Sequence, residues 1–78
     1  MEVLKFFTPT CVSCKRVEVL LSNYNTPVTS IDCTIDPTKA SEYRIMTVPV
    51  VVIKDNDTII SKLVGDQITK ESLDKFLA

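Results

Sequence analysis

Glu2 to Phe7, EVLKFF, is a short run dominated by apolar and aromatic side chains and ended by Thr8, Pro9 and Thr10, the pattern of a buried strand. From Cys11 the period lengthens. Val17, Leu20, Leu21 and Tyr24 fall at i, i+3, i+4 and i+7, while Lys15, Arg16, Glu18 and Ser22 lie elsewhere around the wheel. This spacing predicts an amphipathic helix from about Cys11 to Tyr24, stopped by Asn25, Thr26 and Pro27. VTSID (Val28 to Asp32) reads as a second strand, and Asp36-Pro37 resembles an N-cap with proline at the first helical position, opening a short second helix. The β-branched run Val50 to Ile53 suits a central strand, Asp55 to Asp57 a tight turn, and Thr58 to Val64 the returning strand of a hairpin closed by Gly65. Thr69 is placed to cap a last helix with Leu73, Phe76 and Leu77 on one face, and Ile68 with Leu73 to form a hydrophobic staple.

The order β-α-β-α-β-β-α predicts an α/β sandwich, one mixed four-stranded sheet with helices packed on it. The first strand, helix and second strand form a βαβ unit, so those two strands are expected to be parallel and the final hairpin antiparallel. No repeat, linker or low-complexity segment interrupts the 78 residues, so residues 1–78 are expected to form a single domain.

Composition narrows the function. With 45% hydrophobic and 24% charged residues the chain is too apolar for disorder. Nine basic and ten acidic residues are evenly spread, which gives no electrostatic footprint for nucleic acid or an anionic membrane. No apolar run approaches the roughly 18 residues of a membrane span, and MEVLKFF lacks the features of a signal peptide, so the cytosol is the expected compartment. An odd count of three cysteines in a thiol-reducing compartment does not suggest a disulfide framework. Histidine is absent, which excludes Cys-His and Ser-His nucleophile pairs and imidazole metal sites.

The remaining chemistry centres on Cys11 and Cys14. Thr10 is a plausible N-cap, placing Cys11 at the first helical position and Cys14 one turn further in on the same face, less exposed. Helix N-termini favour anions, so Cys11 is expected to lose its proton more readily than a free thiol. Residues three apart on a helix come close enough to open and close a disulfide without refolding. The residues leave three readings open: a redox dithiol, a zinc site, and inert packing. The dithiol fits the strand-to-helix junction; zinc needs a fourth ligand beyond Cys11, Cys14 and Cys33.

FFTPTCVSCK, RIMTVPVVVIKDND and LVGDQITKESLDKFL together resemble the thioredoxin and glutaredoxin superfamily over nearly the whole chain. The 78 residues are fewer than in typical thioredoxins, and the resemblance implies a chain without their extra N-terminal strand and helix. TPTCVSC is similar to the NrdH-redoxins, small glutaredoxin-like proteins that reduce ribonucleotide reductase, while the portion from Asp36-Pro37 to Gly65 is spaced more like thioredoxin. The resemblance implies a minimal thioredoxin-like fold with Cys11 as attacking thiolate and Cys14 as resolving thiol. It also implies a cis Pro49 beside the cysteines, with substrate bound at Thr10, Thr47, Val48, Pro49 and Gly65. The Val48 backbone would pair with an extended client segment and Gly65 would permit its close approach. No bound cofactor is implied beyond a redox-active Cys11–Cys14 disulfide, and no metal.

The chain departs from the family in places. Thioredoxins place tryptophan before the first cysteine and Gly-Pro between the two, where this chain has Thr10 and Val12-Ser13, a pair that helps set the potential. Lys5 stands where thioredoxins bury an aspartate; its stem is expected to pack with its head in water, the sharper alternative being an ammonium close to Cys14. Glutaredoxins begin their last helix with a Gly-Gly-x-Asp-like glutathione motif, of which only Gly65-Asp66 is present, favouring a flavin-dependent thioredoxin reductase over glutathione as reductant. Cys33 is expected to be a small buried apolar residue, with a regulatory thiol as the sharper reading. The reading is a monomeric cytosolic thiol-disulfide oxidoreductase acting on disulfide-containing client proteins, ribonucleotide reductase being one possible client. Its rival is a non-catalytic module of the same fold that binds zinc or a partner protein at the CVSC face.

Overall fold

A computed structural model describes residues 1–77. The elements are β1 (Glu2–Phe7), α1 (Cys14–Leu21), β2 (Val28–Asp32), α2 (Pro37–Glu42), β3 (Val50–Asp55), β4 (Thr58–Val64), a 3₁₀ turn (Gly65–Gln67) and α3 (Lys70–Leu77). The strands form one mixed sheet in the order β2-β1-β3-β4. β1 is parallel to β2 and antiparallel to β3, and β3 is antiparallel to β4. Two inner strands are thus covered on both faces, which is why β1 and β3 read as continuous apolar runs while β2, at an edge, keeps Thr29 and Ser30 exposed.

Alternation along the strands divides the core in two. Val3, Val51 and Ile53 join Val17 and Leu21 of α1, Ile68, and Leu73 of α3 on one face. Leu4, Phe6, Ile31, Val50 and Val52 form the cluster on the other, with Tyr43 and Ile45 packed against it. The expected helical face of Val17, Leu20, Leu21 and Tyr24 does meet the core. Two of the three caps read from the sequence are made: Asp36 Oδ1 accepts from Lys39 N at 3.0 Å, and Thr69 Oγ1 accepts from Ser72 N at 3.1 Å while Thr69 N donates to Ser72 Oγ at 2.9 Å. Ile68 and Leu73, both fully buried, share one cluster as a staple requires.

The hairpin differs in detail from the expectation. Asp55 remains in β3 and the loop is Asn56-Asp57, with Asn56 at φ 56°, a left-handed conformation asparagine tolerates. The register slips between Ile53, opposite Ser61, and Lys54, opposite Ile59, so β4 carries a bulge at Ile60. Among the described residues no helix is long and apolar enough to cross a membrane.

α1 ends at Leu21, short of the expected Tyr24, which lies in the turn that follows, and that turn is tied to α3 by polar contacts. Tyr24 Oη donates to Asp74 Oδ1, and Lys70 Nζ donates to Asp74 Oδ2 at 2.9 Å. The Tyr24 bond and then Lys70 hold the Asp74 carboxyl below its usual value, and Asp74 in turn pushes the Tyr24 phenol up to about 12. A lowered carboxyl contributes stability above its unfolded value that is lost as pH falls through the folded one; a raised phenol contributes stability below about 10 that is lost as pH rises toward about 12. Tyr24→Phe is therefore expected to lower the urea midpoint near neutral pH, with the gap to the native chain narrowing at both acid and alkaline ends. A gap of constant size from the acid to the alkaline limb of a pH series of urea titrations would show that this linkage is absent.

Candidate active site

β1 delivers the chain to Phe7, and a turn closed by Cys11 N donating to Thr8 O at 3.1 Å reverses it toward α1. This turn corrects the expected helix start. Thr10 is exposed within the turn and is not the N-cap; α1 begins at Cys14, with Ser13 at the N-cap position. Ser13 already has helical backbone angles and makes no side-chain capping bond. Lys15 N donates to Val12 O at 3.3 Å, so a single tight turn precedes the α-helical ladder. Cys14 therefore holds the first helical position that the spacing assigns to Cys11, and Cys11 lies just ahead of it.

The two sulfurs form a disulfide, with Cα atoms 5.3 Å apart. Cys14 is buried at 6% exposure, whereas Cys11 is half-buried and Val12, beside it, is 87% exposed. Ser13 Oγ lies 3.8 Å from Cys11 Sγ, a weak polar contact. A cleft of about 290 Å³ runs along the pair, lined in part by Lys5, Phe7, Pro9 and Glu18. Both sulfurs thus sit at the N-terminal end of an eight-residue helix, where unpartnered N–H groups and the helix dipole favour negative charge.

Lys5 points to the α1 side of the sheet, 7% exposed. Its ammonium does not simply reach water: Nζ lies 3.8 Å from Glu18 Oε1 and 5.3 Å from the centre of the Phe7 ring. The head is held at the margin of the cysteine cleft between a carboxylate and an aromatic face.

Thr47, Val48 and Pro49 form the segment leading into β3. Thr47 is exposed, Val48 half-buried and Pro49 buried, and the Val48–Pro49 peptide is cis. Gly65 N donates to Pro49 O at 2.9 Å, carrying the hairpin ladder one residue past the paired strands. Gly65 has φ 54°, a left-handed conformation that suits glycine, and nothing lies within 4 Å of where a Cβ would stand, so its backbone borders open space.

The residue that sequence reasoning missed is Arg16, which periodicity places merely on the polar face of α1. Its guanidinium donates to Ile68 O at 2.7 Å and to Gly65 O at 3.3 Å. The helix carrying Cys14 is thereby joined to the turn bonded to Pro49. The only signal available beforehand was an arginine two residues past the second cysteine.

Cys33 is half-buried rather than buried and lies just past β2, in a groove with Pro37, Ala40 and Met46. Burial pushes its thiol up, with Asp32 and Asp36 adding repulsion. Among the described residues no three His, Cys, Asp or Glu side chains gather as a metal site, so Cys33 does not complete a cluster with the pair.

The glutaredoxin family model matches residues 3–58. The SPbeta prophage-derived thioredoxin-like protein YosR of Bacillus subtilis is 30% identical, covering 91% of this chain and 98% of that relative. The chain belongs to the thioredoxin/glutaredoxin superfamily. Solved structures agree on the fold. Thioredoxin 1 of Thermosipho africanus superposes with a TM-score of 0.79 at 19% identity, over 97% of this chain and 93% of that one. The glutaredoxin-like NrdH-redoxin of Escherichia coli, whose activity profile is described as thioredoxin-like, superposes with a TM-score of 0.76 at 17% identity, over 100% and 97%. Family membership and the close cysteine pair give this thioredoxin-fold protein a thiol redox function, with disulfide-bearing clients and a reductant as its general classes of partner.

Proposed function

We propose that the chain is a dithiol–disulfide oxidoreductase that reduces disulfides in client proteins. The observation that carries this reading is the unequal burial of a closed Cys11–Cys14 disulfide at a helix start: Cys11 half-buried, Cys14 6% exposed. In the reduced protein the Cys11 thiolate attacks one sulfur of a client disulfide, and the second client sulfur leaves as a thiolate and takes a proton. Cys14 then loses its proton and attacks Cys11. The Cys11–Cys14 bond forms, the mixed disulfide breaks, and the client departs with two electrons and two protons. The helix end favours the thiolate form of the attacking sulfur. Thr10, next to Cys11, and the Thr47-Val48-Pro49 segment with Gly65 supply polar backbone along which an extended client strand aligns its disulfide.

The redox-active disulfide is the only prosthetic element this cycle needs, and re-reduction comes from outside. A single Gly65-Asp66 at the head of the last helical region favours a flavin-dependent thioredoxin reductase over glutathione, and the TPTCVSC stretch makes ribonucleotide reductase one candidate client. Insulin reduction separates the possibilities. Turnover with thioredoxin reductase and NADPH, and little with glutathione and glutathione reductase, is the expected result. The reverse order transfers the chain to glutathione-linked chemistry. No turnover with either source, together with stoichiometric zinc in the purified protein, sinks the enzyme reading in favour of a non-catalytic binding module.

A further inference from the structure

We propose that Arg16 is a positioning residue that fixes the client-docking backbone against the reactive disulfide. This rests on the redox reading above. The reacting sulfurs belong to the start of α1, whereas the backbone expected to receive a client strand belongs to Val48-Pro49 and Gly65, which come from the other half of the chain. Those two groups are already one unit, because Gly65 N donates to Pro49 O at 2.9 Å. Arg16 fastens that unit to α1. One guanidinium nitrogen donates to Ile68 O at 2.7 Å and the other to Gly65 O at 3.3 Å, across sequence separations of 52 and 49 residues. Thus a single side chain, two positions beyond Cys14, grips both ends of the turn.

The chemistry suits the task. A planar guanidinium presents donors in a rigid fork, so two carbonyls held together define both the distance and the angle of the turn. Within the turn Ile68 N donates to Gly65 O at 3.1 Å and the Ile68 side chain packs in the cluster containing Val17, while the Arg16 fork adds a directional polar link from α1 to the turn. Releasing the fork leaves the cysteines and their helix in place and loosens the surface that lines up the incoming disulfide. That loss falls on client association and not on the bond exchange itself.

Arg16→Met keeps the stem and removes every donor; Arg16→Lys keeps the charge and can reach one carbonyl. In insulin reduction, Arg16→Met is expected to raise KM about tenfold with kcat within about twofold, and Arg16→Lys to recover part of the loss. Amide hydrogen exchange gives a readout that does not depend on turnover: the Gly65 N–H is expected to exchange about tenfold faster in Arg16→Met than in the native chain, beyond any increase shared by the core amides of β1 and β3 through a lowered global stability. An unchanged KM, or a fall in kcat alone, overturns the proposal, as does identical Gly65 exchange. If Arg16→Met does not fold, the same comparison between Arg16→Lys and the native chain decides it. A native chain that turns over no insulin defeats the redox reading, and Gly65 exchange still shows whether the strap exists.

Discussion

Cys14→Ser is expected to convert a protein that releases its client into one that keeps it. With Cys11 intact and partly exposed, the first exchange proceeds and a mixed disulfide forms. The group that would break it, a thiol held with its Cα 5.3 Å from that of Cys11, is gone. Resolution then falls to thiols from solution, and losing an intramolecular nucleophile of this kind lowers multiple turnover about a thousandfold or more. The conjugate is expected as a band of summed mass on non-reducing gels that dithiothreitol dissolves. Cys11→Ser is expected to abolish turnover without trapping anything, because the thiol left behind is buried at 6% exposure. Trapping by Cys11→Ser, with none by Cys14→Ser, would reverse the assignment of attacking and resolving sulfurs.

Phe6→Ala is the structural counterpart with the largest expected effect. Phe6 is fully buried, stands in register between Ile31 of β2 and Val50 of β3, and packs its ring 5.6 Å from that of Tyr43. Truncating a buried phenylalanine to alanine costs about 3–5 kcal/mol through lost transfer energy and the cavity left behind. A chain of 78 residues has a net stability of only about that size. Phe6→Ala is thus expected to be largely unfolded at 25 °C, without a cooperative urea transition by circular dichroism, whereas Phe6→Leu, which keeps most of the volume, stays folded with a reduced midpoint. A Phe6→Ala midpoint matching the native one would show that this layer does not carry the core.

Most of this architecture is legible because it is written in residue type. The bounds of β1 and β4 follow from apolar and β-branched runs ended by Pro9 and Gly65, and the helix caps at Asp36 and Thr69 follow from side chains whose oxygens have one obvious use. The start of α1 is less legible. It depends on a backbone bond, Cys11 N to Thr8 O, and threonine at position 10 looks equally suited to capping or to a turn. The bulge at Ile60 is likewise a matter of register, which composition does not express. Arg16 and Lys5 show the same limit at the site. Each meets partners that only tertiary structure brings near: for Arg16, carbonyl oxygens that every residue possesses; for Lys5, a glutamate on the helix lying over its strand.

The two cysteines owe their nearness to connectivity, since only two residues separate them, and a flexible Cys-Val-Ser-Cys peptide already holds its thiols at high effective concentration. Folding adds asymmetry: Cys14 is buried and Cys11 is left within reach of solvent. Selectivity is therefore the more fragile property. A partly denatured chain is expected to keep reactive thiols that oxidise to the same ring while losing the distinction between the sulfurs that an incoming disulfide meets. An intact Cys11–Cys14 bond is therefore expected to be a poor gauge of nativeness, with unfolding erasing the order of events before it erases reactivity.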